Sequence, residues 1–132
     1  MKAVDTNILI RFLVGDDEKQ ARAVYQLFKA TESQKGELFV PLLVVLELVW
    51  VLESVYLIER QELLDSISDL LMMTIFKFEH VNAIQKFAIT AKGNTCDLSD
   101  LLIAHAASNS GCEAVYTFDK KASKYDLFEL VK

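Results

Sequence analysis

Four acidic side chains stand at positions where they could do metal chemistry: Asp5, Glu47, Asp100 and Asp119. Asp5 and Asp119 each follow a short apolar stretch that predicts a β-strand. Ligands of open parallel sheets bind just beyond the carboxyl ends of the strands, so both acids lie where chemistry is expected. This is a topological argument, and the sequence does not show whether the two strands are neighbours.

Glu47 lies in the middle of an apolar run, with residues 42–46 before it and 48–52 after it. An ionised carboxylate buried in such a run is costly unless it is paired or binds a metal. The structural alternative is a narrow polar stripe shared with Glu53, or a salt bridge to a residue such as Arg11. We expect a buried helix here, in which Glu47 needs a partner.

Asp97 and Asp100 are three residues apart at a predicted helix start, which places both on one face of the first turn. An Asp N-cap followed by a second acid is also ordinary capping, favoured by the helix dipole. Spacing alone therefore leaves both interpretations of this pair open.

The candidate donors are all oxygens, which select hard cations such as Mg²⁺ or Mn²⁺. Clustered carboxylates without a His base or a nucleophilic Ser or Cys indicate phosphoryl chemistry, in which one or two metals activate water. His80 and His105 show no metal-ligand spacing with the two cysteines, which disfavours zinc. The chain has no Walker loop and no G-x-G-x-x-G motif, so nucleoside triphosphates and dinucleotides are disfavoured as ligands.

The elements that must position these acids alternate along the chain. The pattern predicts strands over 2–4, 38–40, 74–78, 114–118 and 128–131, and helices over 7–14, 17–33, 41–56, 59–73, 80–92 and 97–110. A short helical turn follows Asp119, and Gly111 suits the end of the last helix. Strands alternating with helices predict an α/β fold with a parallel sheet covered on both faces.

The bulk properties fit one globular domain over residues 1–132, with few glycines and prolines and therefore short loops. The formal net charge of -5 argues mildly against a nucleic-acid partner, unless bound metals supply the positive charge. We expect Cys96 and Cys112 to be reduced thiols of a cytoplasmic protein. We expect no signal peptide, and Pro41, Glu47 and Glu53 interrupt the apolar stretch 38–58, which favours a core helix over a membrane span.

Four segments together resemble the PIN-domain ribonucleases, and within them the VapC-type toxins of toxin–antitoxin pairs. The segments are VDTNILIR at 4–11, VPLLVVLELVWVL at 40–52, DLSDLLIA at 97–104 and TFDKK at 117–121. They follow the family's order at suitable spacing and cover nearly the whole chain. The residues before Asp97 (Asn94 to Cys96) and the polar Lys124 to Asp126 depart from the pattern, which leaves RNA sequence preference open.

The resemblance implies a PIN-like three-layer α/β/α fold with a central, mostly parallel sheet of four to five short strands. It implies that the metal ligands are Asp5, Glu47, Asp100 and Asp119, with Asp97 as an auxiliary group. It further implies that carboxylates are oriented by Thr6, Asn7 and Thr117. Lys120 and Arg11 are candidate RNA contacts, and the alternative is that both are solvated surface charges.

The function implied is a Mg²⁺- or Mn²⁺-dependent endoribonuclease, the toxin of a type II pair, that cleaves an RNA phosphodiester with metal-activated water. The family commonly forms homodimers, and an antitoxin segment blocks the groove. One alternative is a catalytically silent PIN-fold module that acts through protein contacts. Another is a phosphatase with Asp5 as nucleophile, but Asn7 stands where its general acid would be expected.

Overall fold

The computed structural model describes residues 1–132, which form two compact units, Met1–Glu79 and His80–Lys132. The first unit contains β1 (Lys2–Ala3), α1 (Thr6–Leu13), α2 (Glu18–Ser33), β2 (Leu38–Val40), α3 (Leu42–Ser54), α4 (Arg60–Met72) and β3 (Phe76–Phe78). The second contains α5 (Val81–Thr90), the 3-10 helix η1 (Ala91–Gly93), α6 (Leu98–Asn109), β4 (Val115–Thr117), the 3-10 helix η2 (Ala122–Lys124) and β5 (Phe128–Leu130).

The strands of the first unit form a parallel sheet in the order β1-β2-β3. Lys2 lies opposite Leu38, and Leu38 lies opposite Phe76. The Val4 N–H donates to the Phe39 carbonyl at 3.0 Å, which carries the hydrogen-bond ladder one residue beyond β1. The paired chain therefore stops at the residue just before Asp5.

The helices of the first unit bury an aliphatic and aromatic core around α1. α1 packs against α2 and α3, α3 packs against α4, and α4 packs against β3. Buried side chains on these elements include Leu9, Ile10, Val24, Phe28, Val45, Leu48, Leu52, Leu63 and Ile67. Each fully buried side chain of this size contributes about 1.5–3 kcal/mol to folding. Packing on two sides thus fixes the helix that carries Asp5 at its start.

In the second unit α5 packs against α6, and the parallel pair β4 and β5 places Val115 opposite Phe128. Phe87 of α5 is fully buried, together with Leu98 and Leu101 of α6. These contacts hold the first turn of α6, where Asp97 and Asp100 lie.

Gly111 ends α6 as the sequence predicts. Its φ of +93° is a left-handed conformation that costs glycine little. The Gly111 N–H donates to the Ser108 carbonyl and the Cys112 N–H donates to the Ala107 carbonyl, each at 3.0 Å. This pair of bonds is the Schellman arrangement, and it closes the helix sharply before β4.

The predicted element boundaries agree with the structure to within two residues. The strand predicted over 74–78 begins two residues later, at Phe76. The residues before it form a turn, in which the Phe76 N–H donates to the Met73 carbonyl at 3.3 Å. The helix predicted over 80–92 leaves the α-form at Thr90 and continues as η1. The hydrogen-bonded strands form groups of three and two, both parallel, and the five short strands agree in number and direction with what the resemblance implies. None of the helices has the length and apolar character required to cross a membrane.

His105 is a buried polar residue of α6, with 7% of its surface exposed. Its Nε2 lies 2.8 Å from the Thr90 hydroxyl, which itself donates to the Lys86 carbonyl at 2.9 Å. Since that hydroxyl has one proton, Nε2 must be the donor in the His105–Thr90 bond. Burial lowers the pKa of His105, and the charge of Lys86 lowers it further.

We expect the free energy of unfolding to fall as the pH drops below about 6.5, the unfolded-state pKa of histidine. The pKa of His105 is lowered in the folded state, so the unfolded state binds the proton more readily. Acid therefore favours unfolding over the pH range between the unfolded-state pKa and the lower folded-state pKa. His105→Gln can keep a bond to Thr90 and cannot titrate. Urea unfolding across this pH range should show a smaller acid loss in the variant; equal losses would contradict the assignment.

Candidate functional site

Asp5 is the N-cap of α1, and its Oδ1 accepts the Ile8 N–H at 3.2 Å. The side chain is exposed, so the second carboxylate oxygen can accept a further partner. Thr6 is buried beside it with 5% of its surface exposed. The helix N-terminus fixes Asp5 without consuming its capacity to bind a cation.

An open groove of about 380 Å³ runs along one side of α1 from Asp5. Its lining residues come from α1 and α2 and are Asp5, Asn7, Ile8, Arg11, Gln20, Ala23 and Val24. Asn7 and Arg11 were both singled out in the sequence, and the structure places them in one groove with Asp5. A candidate metal ligand and a candidate phosphate contact thus share a surface.

Arg11 is held by three partners in this groove. Its Nε donates to Gln20 Oε1 at 2.6 Å, and its Nη1 lies 3.0 Å from Asp16 Oδ1 and 3.4 Å from the Tyr56 hydroxyl. The Tyr56 hydroxyl donates to Asp16 Oδ2 at 2.8 Å. The bond to Tyr56 raises the pKa of Arg11, burial opposes this, and the charge of Asp16 raises it further. Arg11 is a fixed cation paired with Asp16, so a salt bridge to Glu47, one alternative for that residue, is not formed.

Glu47 departs from the sequence-based expectation, because it is exposed on α3 rather than buried. Val45, Leu48, Val49 and Leu52 form the inward face of the helix. Leu43 and Trp50 share the face of Glu47 and are 76% and 55% exposed. The argument from costly burial therefore does not hold for Glu47, and its placement among the metal ligands depends on the motif alone.

Three acids lie near one another in the second unit. Asp97 is the N-cap of α6, and its Oδ1 accepts the Asp100 N–H at 3.0 Å. Burial raises the pKa of Asp100, and the charges of Asp97 and then Asp119 raise it further. The ionised cluster is thus repulsive, which is the state that a bound cation would relieve.

Hydrogen bonds within the turn after β4 orient the Asp119 side chain. Its N–H donates to Thr117 Oγ1 at 3.0 Å, and its Oδ1 accepts the N–H groups of Lys121 at 2.8 Å and Ala122 at 3.2 Å. Thr117 therefore orients the backbone at Asp119, where the sequence suggested a bond to a carboxylate. Lys120 is exposed beside Asp119 in the chain and remains available to a ligand.

Two sets of contacts, one in each unit, were not predicted from the sequence. The Thr95 N–H donates to the Tyr125 hydroxyl at 3.0 Å, and the two hydroxyls lie 3.1 Å apart. These bonds from Thr95 lower the pKa of Tyr125. They tie the loop before Asp97 to the segment after η2. The second, in the first unit, is the group around Arg11, whose guanidinium contacts Asp16 and Tyr56.

Cys96 and Cys112 are free thiols, as the sequence suggested, the first buried and the second exposed. Asp65 and Asp69 are exposed on α4. Within neither unit do three or more Asp, Glu, His or Cys side chains meet in a geometry that could hold a metal ion. Asp5 and Glu47 lie in the first unit, and Asp97, Asp100 and Asp119 lie in the second.

Comparison with known proteins places the chain in a family. The chain matches the PIN domain over residues 2–127, which spans both units. It is also similar to a VapC ribonuclease of Aquifex aeolicus (strain VF5), with 33% identity over 125 residues that cover 94% of this chain and 91% of the relative. The resemblance drawn from the four motifs and the predicted PIN-like α/β fold are confirmed, and the chain belongs to the PIN-domain family.

Proposed function

We propose that the protein is a Mg²⁺- or Mn²⁺-dependent endoribonuclease that hydrolyses an RNA phosphodiester. The observation that carries the proposal is the 33% identity to a VapC ribonuclease across 94% of the chain. The exposed Asp5 and the mutually repelling acids around Asp100 support it, because none of these carboxylates forms a salt bridge with a cationic side chain.

Asp5, Glu47, Asp100 and Asp119 are the metal ligands in this proposal, with Asp97 as an auxiliary group. Their donor atoms are oxygens, which fit a hard divalent cation. A bound Mg²⁺ or Mn²⁺ would lower the pKa of a water and neutralise charge on the phosphate. The N-terminus of α1 orients Asp5, and the turn after β4 orients Asp119 through Lys121 and Ala122.

Arg11 and Lys120 are the RNA contacts in this proposal. With a net charge of -5 the chain lacks a general attraction for nucleic acid, so local cations and bound metal must supply it. Arg11 lies in the groove of Asp5, and Lys120 follows Asp119 directly. Both positions put a positive charge next to a proposed ligand.

The biological role that we propose is the toxin of a type II toxin–antitoxin pair, held inactive in the cytoplasm by its antitoxin and assembled as a homodimer. The relative's name supports the VapC assignment. Large apolar side chains are exposed on and after α3, at Leu43, Trp50, Val55 and Leu57. Such exposed apolar residues suit a protein contact, either with the antitoxin or with the second copy in the homodimer.

The metal requirement is tested by titrating Mn²⁺ into the purified protein by calorimetry and measuring cleavage of total RNA in parallel. We expect saturable Mn²⁺ binding, and cleavage that stops when EDTA is added and returns with excess Mn²⁺. The cleaving activity should survive passage through a further purification column, which excludes a contaminating nuclease. If the protein showed no Mn²⁺ binding and no RNA cleavage at millimolar Mn²⁺, a catalytically silent interaction module would be favoured instead.

A further inference from the structure

The hydrogen-bonded group around Arg11 joins four parts of the first unit. Arg11 lies in the last turn of α1, Asp16 in the following loop, Gln20 in α2 and Tyr56 just after α3. Asp16 is engaged through both oxygens, Oδ1 by Arg11 and Oδ2 by Tyr56. Three side chains are thus ordered to fix one guanidinium, at a cost in side-chain entropy that a solvated surface charge would not require.

The group leaves one edge of the guanidinium free. Nε and Nη1 make the hydrogen bonds to Gln20, Asp16 and Tyr56, and Nη2 makes none. A guanidinium has five N–H donors in a fixed fork, so the two N–H groups of Nη2 remain for a ligand. The Arg11 side chain is still 22% exposed and lines the groove of Asp5.

Gly15 makes the local turn that brings Asp16 to Arg11. Its φ is +66°, and it follows Val14, the C-cap of α1. Asp17, the next residue, caps α2 by accepting the Gln20 N–H at 3.0 Å. The two adjacent acids therefore have different roles: Asp17 caps α2, and Asp16 binds the Arg11 guanidinium.

We propose that Asp16, Gln20 and Tyr56 position Arg11 so that its Nη2 edge binds a phosphate of the RNA beside the scissile bond. Arg11 comes six residues after Asp5, which is about 9 Å along a helix axis, so the contact falls on a neighbouring phosphate. Arg11 touches substrate in this scheme, and the other three act through it. The inference rests on the proposed ribonuclease function and adds to it a substrate-positioning device.

Arg11 itself is tested through the salt dependence of RNA binding. Anisotropy of a labelled single-stranded RNA pool of random sequence, in EDTA to prevent cleavage, gives the slope of log K against log salt. Loss of one phosphate contact should reduce the steepness of this slope by about 0.7 in Arg11→Gln. Arg11→Lys keeps the charge and should keep the slope. An unchanged slope in Arg11→Gln would overturn the phosphate contact, whether or not the wild type cleaves RNA.

The positioning residues are tested by cleavage kinetics with Mn²⁺ on total RNA. We expect Asp16→Asn to lower kcat/KM about 10-fold, the lower end for loss of an orienting partner. Tyr56→Phe should lower it about fivefold, the size of one hydrogen bond. Removing a negative charge would by itself strengthen RNA binding, so a loss in Asp16→Asn separates positioning from general electrostatics.

The matched control is Asp17→Asn, which removes the same charge one residue away and keeps an N-cap side chain on α2. It should retain wild-type kcat/KM. Wild-type kinetics in Asp16→Asn and Tyr56→Phe, together with lower melting temperatures, would show a purely structural tie and overturn the positioning role. A wild-type protein that never cleaves RNA would instead refute the proposed function, while the binding slope still reports on Arg11.

Discussion

Asp5→Asn is expected to abolish metal-dependent RNA cleavage and the growth arrest that expression of the protein should cause. Losing a partner in a metal's outer shell already costs about 10–100-fold in affinity or activity, so losing a direct ligand should cost more than about 100-fold. An amide oxygen remains a possible donor, but it has no charge to offset the cation or to attract it. The measurement is the initial rate of RNA cleavage at several Mn²⁺ concentrations.

The substitution is informative because it leaves the fold intact. Asp5 caps α1 by accepting the Ile8 N–H, and Asn is as good an N-cap as Asp. The melting temperature should therefore stay close to that of the wild type. Asp69→Asn, which removes an exposed acid from α4, is the matched control and should cleave normally. Undiminished cleavage by Asp5→Asn would sink the assignment of Asp5.

The elements could be predicted from the sequence because their ends are encoded in single residues. Asp17 and Asp97 are N-caps, and Gly111 supplies the left-handed residue that closes α6. These signals act over three or four residues, so a local pattern contains them in full. The grouping of the strands into three and two depends on pairing between distant segments, which no local pattern contains.

Glu47 shows why burial could not be predicted for α3. Nearly every position around it is apolar, so the sequence has no polar face from which to tell inside from outside. The structure puts Leu48 and Val49 inside and leaves Leu43 and Trp50 exposed with Glu47. A carboxylate on an apolar exposed face needs no buried partner, so a metal is not required to explain it.

The acids of the second unit and the groove of the first have features that local sequence patterns could not predict. Asp97 and Asp100 had an ordinary explanation as helix capping, and the Asp97 side chain does cap α6. Proximity to Asp119, more than 15 residues further along the chain, adds the repulsion that capping does not explain. The bond of Arg11 to Tyr56 likewise depends on the end of α3 lying beside α1, which is tertiary information.

Asp100→Asn is expected to lose RNA cleavage by more than about 100-fold, on the same grounds as Asp5→Asn, and yet to be more stable than the wild type without metal. Burial and the charges of Asp97 and Asp119 raise the pKa of Asp100, although the first turn of a helix favours an acid. Ionised Asp100 therefore destabilises the folded state. Removing a screened like-charge interaction should contribute about 0.2–0.5 kcal/mol, or about 1–2 °C in melting temperature.

The pH dependence has a definite sign. Because the folded state holds the Asp100 proton more tightly than the unfolded state, the penalty is present at neutral pH and fades as the pH falls through the raised pKa. The stability difference between Asp100→Asn and the wild type should therefore shrink in acid. A difference that grows in acid would contradict the repulsion between these acids.

Divalent metal should reverse the order of stability at neutral pH. A cation that binds only the folded protein raises its stability with concentration, and the wild type should gain while Asp100→Asn gains little. Thermal melts with and without Mn²⁺ measure both states, and Asp69→Asn should follow the wild type in each. If Mn²⁺ stabilised Asp100→Asn as much as the wild type, Asp100 would not be a ligand. The repulsion among the three acids would then have no metal to explain it.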